Sequence, residues 1–272
     1  MTTNKEKELF EQKLKEFFEA KRALYPEKLF SAMEYSLFNG GKRVRPILML
    51  LSADFVNLDY EKVIPFAISL ECIHTYSLIH DDLPCMDNDD FRRGKPTCHK
   101  VFGEAISLLA GDCLINLAYE NLIEAVSGDA EYAEAAKYLA KCAGGEGMIA
   151  GQAIEFSKEC FDEGEITELC MKKTGALICA SILIPCLIAA DNEKITALGS
   201  FATAVGLSFQ LADDLIDKDK GEKKSYLGVM GEEKTVLMLE RLGSIAIKAL
   251  SKWENGTKRL REYSDFLTKR KV

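Results

Sequence analysis

An all-α chain is expected, on three observations. Apolar residues recur at three- and four-residue intervals through most of the 272 positions, and no valine-rich alternating run is present. Neither a low-complexity linker nor an internal repeat interrupts the pattern. With 47% hydrophobic residues the chain can bury a sizeable core and nothing forces a division, so one domain over 1–272 is expected.

From residue 6 to 23, Phe10, Leu14, Phe17 and Phe18 form a helical stripe, and the pattern continues over 29–38 until Asn39-Gly40-Gly41 stop it. Residues 40–46 read GGKRVRP, two glycines ahead of three basic residues. Alone, this is either a helix terminus with incidental charge or a bare stretch of backbone where cations and amides converge on a phosphate. Pro46 should open the apolar helix ILMLLSADF. In the next helix, 61–80, Ile73, Tyr76, Ser77 and His80 share a face. Glu71 and His74 make an ExxH pair of the kind that serves one side of a di-iron centre, but His80 and His99 lack the glutamate a second pair needs. His74 is then a core histidine or a hydrogen-bonding group for an anion.

An acidic stretch follows, crowding Asp81, Asp82, Asp87, Asp89 and Asp90 ahead of Arg92 and Arg93. Such a cluster is tolerable when solvated or when a cation neutralises it. An ideal helix would point Asp81 and Asp87 roughly 120° apart. If both serve one ion, a bulge or break is expected near Pro84, which lacks the amide a straight helix uses. Helices are expected over 102–127, 130–142 and 145–158, the last holding Gly151, Gln152 and Glu155. Another leads to Lys173-Thr174-Gly175, where the glycine should bend or break the path beside a lysine and a hydroxyl. The apolar run 177–190 contains Pro185 and is too short to span a bilayer. A helix over 193–218 carries FQLADDLID, with Asp213 and Asp217 on one face and Asp214 beside them. Helical periodicity resumes over 226–270, ending in Lys269-Arg270-Lys271. Carboxylates without sulfur or nitrogen co-ligands suit a hard cation such as magnesium, which keeps waters and takes phosphate oxygens.

The net charge of -8 argues against broad nucleic-acid binding. Positive charge is instead local, in Lys42, Arg43 and Arg45 and in Arg92, Arg93 and Lys95, which suits a small anionic substrate. Nine cysteines without a CxxC pair point to reduced thiols and a cytoplasmic location. The charged, periodic start is unlike a signal peptide, so a soluble protein without stable membrane insertion is expected.

Together, GGKRVRP, SLIHDDLPCMDNDDFRRGKPTCH, KKTG and FQLADDLID, in this order and spacing, resemble the short-chain trans-polyprenyl diphosphate synthases of the bacterial farnesyl-forming type, over nearly the whole chain. The resemblance implies a helical bundle of the isoprenoid synthase type, with two aspartate-rich helices facing across a deep central cavity, generally in a homodimer. It implies a Mg2+-dependent condensation of isopentenyl diphosphate with dimethylallyl or geranyl diphosphate, giving (2E,6E)-farnesyl diphosphate and diphosphate. Geranylgeranyl diphosphate synthase is the nearest alternative, followed by a terpene cyclase or a non-catalytic synthase subunit. By the same resemblance Asp81, Asp87, Asp213, Asp214 and Asp217 bind the metal, with Asp82 close by and also catalytic. Arg92, Lys173, Thr174 and Gln210 would hold the allylic substrate, Lys173 also counting as catalytic, and Lys42, Arg45, His74 and Arg93 would hold isopentenyl diphosphate. Tyr76 lies about 7.5 Å before Asp81 along a helix and would form a floor limiting the product to C15. Two departures stand out. The segment after Asp217 is shorter than the family's lid loop, so Lys218, Lys220 or Lys223 would have to replace its lysine. Glu155 stands where the family often has aspartate.

Overall fold

The structure, a computed structural model, describes residues 3–218, 224–254 and 256–268. It is helical almost throughout, as expected, and divides into two compact units, each assembled from stretches that are not contiguous in sequence. No composition shift in the sequence marks the boundaries between these units.

One unit comprises 3–47 and 61–131. It holds α1 (Asn4–Glu19), α2 (Glu27–Leu37), the start of α3 (Val44–Phe55), nearly all of α4 (Tyr60–Asp81), the strands β1 (Phe91–Arg92) and β2 (Lys95–Pro96), α5 (Cys98–Phe102) and α6 (Glu104–Gly128). The expected stripe of α1 is buried through Phe10, Leu14 and Phe18, and the Phe18 ring lies 4.4 Å from that of Phe30 and 5.7 Å from that of Phe38. Each such side chain contributes about 1.5–3 kcal/mol. Helix α3 begins ahead of Pro46, whose missing amide falls in the first turn, where no helical acceptor is available anyway. Helix α4 buries side chains around nearly its whole circumference. It is stitched to α6 by Asn121, which donates to the Pro65 carbonyl at 2.7 Å, and by Ser69, which donates to the Ala118 carbonyl at 3.0 Å.

The paired strands β1 and β2 were not expected. They are antiparallel and joined by Arg93-Gly94, both with positive φ (55° and 76°), the conformation of a type I′ turn. Two residues per strand are too few to show an alternation.

The other unit comprises 48–60 and 132–268. Its helices are α7 (Ala133–Ala143), α8 (Met148–Ser157), α9 (Glu163–Cys170), α10 (Ala176–Ile188), α11 (Asn192–Ile216), α12 (Tyr226–Met230), α13 (Glu232–Ala249) and α14 (Lys258–Thr268), with α11 packed against α10, α13 and α14. Gly175 does not break the path. Met171–Gly175 forms one π-helical turn that carries α9 into α10. A Cβ on Gly206 would lie 3.0 Å from the Gly175 Cα, so α11 meets this turn backbone to backbone.

Among the described residues four helical stretches, Tyr60–Asp81, Glu104–Gly128, Glu163–Ile188 and Asn192–Ile216, are long and apolar enough to cross a membrane by length and composition. The run 177–190 thus belongs to a longer helical stretch than the sequence suggested, because the π turn prolongs it. Between 44% and 72% of each apolar window is buried inside the chain itself, as expected of helices that form the middle of a bundle.

Candidate functional site

Helix α4 ends at Asp81, three residues before Pro84. The Leu83 amide turns back to the His80 carbonyl (3.1 Å), and the Asp87 amide returns to the Asp81 carbonyl (2.9 Å). The break falls earlier than the proline, but it meets the geometric need: Asp81 and Asp87 leave one compact turn, closed by Asn88 at φ 55°. Both side chains reach solvent. Asp82 takes a different place. It is buried, and its Oδ1 accepts from Arg92 Nε at 2.7 Å and lies 2.6 Å from Nη2. Burial pushes the Asp82 carboxyl up, with Arg92 opposing. Of the remaining aspartates, Asp90 pairs with Lys100 at 2.6 Å, and the Asp89 carbonyl accepts from Thr97 Oγ1 at 2.8 Å.

The basic residues of the same unit differ in what they face. Arg43, at φ 50°, turns inward, with Nη1 2.7 Å from Glu71 Oε1 and Nη2 2.8 Å from the Leu37 carbonyl. The ExxH glutamate is therefore the partner of a buried arginine. Lys42 is exposed, and Arg45 and His74 are partly buried. Arg93 donates from Nη1 to the Gly40 carbonyl at 2.6 Å, and a Cβ on Gly41 would stand 2.9 Å from that nitrogen, so the second glycine makes room for the guanidinium. Gly41 itself sits at φ 127°, and Arg43 and Arg93 share the left-handed region, local strain that the surrounding contacts hold in place.

Burial first, then Arg45, Arg93, Arg92 and Arg43, hold the His74 imidazole well below its ordinary value of 6.5. It is neutral at neutral pH, in a field of guanidinium groups that favours an anion. Because the folded state refuses a proton that the unfolded state accepts, this contribution is complete above 6.5 and is lost as pH falls below it. The free protein should lose up to about 1.4 kcal/mol per pH unit in that window, and His74→Gln should lose less. Thermal midpoints at neutral pH and about pH 5 measure this; parallel slopes would exclude His74 as the cause.

In the other unit the Asp217 amide donates to the Asp213 carbonyl at 2.9 Å, closing the end of α11 with both side chains partly exposed. Asp214 is buried between neighbours. Its Oδ1 accepts from Gln210 Nε2 at 2.8 Å, and its Oδ2 accepts from the amides of Tyr226 (2.8 Å) and Leu227 (3.4 Å). Burial raises its carboxyl, with these donors opposing. The resemblance grouped Asp214 with the ligands; in the structure its Oδ2 seats the start of α12 and its Oδ1 accepts from Gln210 of its own helix. Thr174 Oγ1 donates to Gln210 Oε1 at 2.6 Å, and Lys173 binds the Glu155 carboxylate. A Cβ on Gly151 would lie 2.3 Å from the Lys173 amide nitrogen, so α8 can pass the π turn only with glycine there.

Lys224 was missed. Its Nζ donates to the Glu155 carbonyl at 3.2 Å and lies 3.3 Å from Glu159 Oε1. The signal was present in Lys223-Lys224-Ser225, one residue beyond the lysines considered. Lys218 lies 3.7 Å from Glu232, whereas Lys220, Lys223 and the basic end 269–271 fall outside the described residues.

Among the described residues no three His, Cys, Asp or Glu side chains close a metal site by themselves. The donor chemistry nonetheless fits magnesium: pairs of solvent-accessible carboxylates, all oxygen, suit a cation that keeps waters and takes phosphate oxygens.

A family model described as polyprenyl synthetase matches residues 26–261. A heterodimeric geranylgeranyl pyrophosphate synthase large subunit from Arabidopsis thaliana is 41% identical over 80% of this chain, which spans 65% of that protein's length, just under two thirds. A farnesyl diphosphate synthase from Geobacillus stearothermophilus is 43% identical over 81% of this chain and 76% of its own. Among solved structures, a geranyltransferase from Legionella pneumophila superposes with a TM-score of 0.89 at 34% identity, covering 98% of this chain and 95% of that one.

Proposed function

The chain belongs to the polyprenyl synthetase family, and on that footing we propose that it joins isopentenyl diphosphate to dimethylallyl or geranyl diphosphate, releasing (2E,6E)-farnesyl diphosphate and diphosphate. The observation that carries this reading is the neutral His74 set among four arginines, beside an Arg93 already anchored on the glycine loop. Such a concentration of positive charge around a neutral hydrogen-bonding ring suits a diphosphate.

In this reading Lys42, Arg45 and Arg93 take the diphosphate of isopentenyl diphosphate, and neutral His74 adds a hydrogen bond without adding charge. Arg92, aimed by Asp82, acts on the allylic diphosphate, as do Lys173, Thr174 and Gln210. Asp81 and Asp87 in one unit, and Asp213 and Asp217 in the other, would each hold magnesium, which when bound would supply charge to the departing diphosphate. The allylic C–O bond breaks with its electron pair leaving on diphosphate, and the alkene of isopentenyl diphosphate attacks the allylic cation. The proton then lost from the adduct passes to released diphosphate. Apolar side chains such as Ile73 and Ile79 on α4 are buried and deny the cation water.

Chain length is the finer part of the proposal, since relatives carry both farnesyl and geranylgeranyl names. Tyr76 supports C15: its ring is buried below the Asp81 turn, and its hydroxyl has no partner among the described residues. The test is to incubate the pure protein with magnesium, dimethylallyl or geranyl diphosphate and isopentenyl diphosphate, and to size the products. A C15 product is expected, and Tyr76→Ala should raise the C20 to C15 ratio by about tenfold, in keeping with the discrimination a steric pocket provides. Cyclic hydrocarbons, or no turnover by folded protein, would overturn the synthase reading; an unchanged ratio would remove Tyr76 alone.

The nine free thiols suit a reducing cytoplasm. Exposed Leu108, Leu109 and Ile123 on α6 support a homodimer, testable by light scattering.

A further inference from the structure

We propose that His80 is a positioning residue for product length: its imidazole, wedged between α4 and α6 in the space left by Gly111, holds the Tyr76 ring at the depth that ends chain growth. The proposal rests on the synthase reading and on Tyr76 as the floor.

His80 follows Tyr76 by one helical turn on the same face of α4. The two ring centroids are 5.6 Å apart with planes at 75°, the edge-to-face arrangement in which aromatic rings attract. On its far side His80 Nε2 lies 3.0 Å from the Leu108 carbonyl of α6 and 3.8 Å from Asp112 Oδ1. Both neighbours are acceptors, so Nε2 carries the proton and donates to Leu108. Gly111 makes this approach possible. A Cβ there would fall 2.1 Å from Nε2, 2.5 Å from Cδ2 and 3.0 Å from Cε1, so any side chain must expel the imidazole.

Tyr76 has no polar anchor of its own, because its buried hydroxyl finds no partner among the described residues. A growing isoprenoid pressing on the ring is therefore resisted by packing, and the His80 imidazole is a part of that packing tied to a second helix. The backbone of the same residue accepts the Leu83 amide and so starts the turn that carries Asp81 and Asp87. A histidine directly before two aspartates invites a role in the chemistry; the geometry turns it toward α6 instead.

Two variants separate the parts. His80→Gln keeps a donor able to reach the Leu108 carbonyl but removes the ring, whereas Gly111→Ala keeps the imidazole and fills its space. With magnesium, geranyl diphosphate and isopentenyl diphosphate, each should raise the C20 to C15 ratio by about tenfold. The KM for geranyl diphosphate should stay within about threefold of the wild type, since neither residue touches a diphosphate group. A wild-type ratio in both folded variants, even with a lower kcat, would overturn the proposal. Should the wild type form no prenyl product, the synthase reading falls and the wedge is read by hydrogen exchange. Faster exchange of the Leu83 and Asp87 amides in Gly111→Ala then supports it, and unchanged exchange refutes it.

Discussion

Asp81→Asn should lower kcat/KM by about 10³ while leaving the fold intact. Asparagine keeps the size of the side chain and one acceptor oxygen but removes the charge that would hold a divalent cation against diphosphate. Loss of several kcal/mol of transition-state stabilisation is the usual scale for such a defect, and each 1.36 kcal/mol is about a factor of ten. The fold should tolerate the change because the turn is built from backbone: the Asp81 carbonyl still accepts the Asp87 amide. Asp82→Asn is the informative control. Its effect should be smaller and should fall mainly on the allylic substrate, because Asp82 aims Arg92. Steady-state rates over a magnesium series would show a raised metal requirement for the Asp81 variant. Rates within about threefold of wild type at all concentrations would take Asp81 out of the metal site.

Glu71→Ala should be the most damaging single change to stability. Arg43 and Glu71 face each other with side-chain exposures of 2% and 4%, so removing the carboxylate leaves the buried guanidinium with the Leu37 carbonyl and, at 3.5 Å, the half-exposed Glu11 carboxylate. Breaking one side of a buried pair costs about 3–5 kcal/mol, whereas replacing both sides with apolar groups is often neutral. For a chain of this size that is roughly 6–20 °C in the midpoint of thermal unfolding. Combining Glu71→Leu with Arg43→Met should recover most of the loss. A single variant that melts within about 2 °C of the wild type would show that water reaches the pair.

These two predictions also show what the sequence could and could not reveal. Helices were legible because their apolar spacing repeats over several turns, and the Asp81 and Asp87 count even required a break in α4. What could not be read was how each charge is spent. Asp82 and Asp214 look like Asp81 and Asp213 in a string of letters, yet Asp82 is held by Arg92, and Asp214 by Gln210 and the start of α12. Arg43 stands between Lys42 and Arg45 and faces the other way, because a left-handed φ swings it inward. Local spacing carries no record of such choices, since the deciding partners Glu71, Tyr226 and Glu155 are distant in sequence. The strand pair bearing Arg92 and Arg93 escaped for a different reason, being shorter than any period.

The π-helical turn at Met171–Gly175 bears on how this protein can change over time. It holds one residue more than an α-helical turn would, so it acts as a splice that takes up the extra residue with almost no rotation of α10 relative to α9. Deleting a single residue from it would produce a regular, unbroken helix with a better hydrogen-bond ladder. That helix would leave α10 on nearly the same azimuth, its buried side still toward α7 and α11, because five residues of a π turn wind through about the same angle as four of an α-helix. The helix beyond is thus indifferent to the splice, and what the extra residue supplies is local: the widened turn on which Lys173 and Thr174 stand.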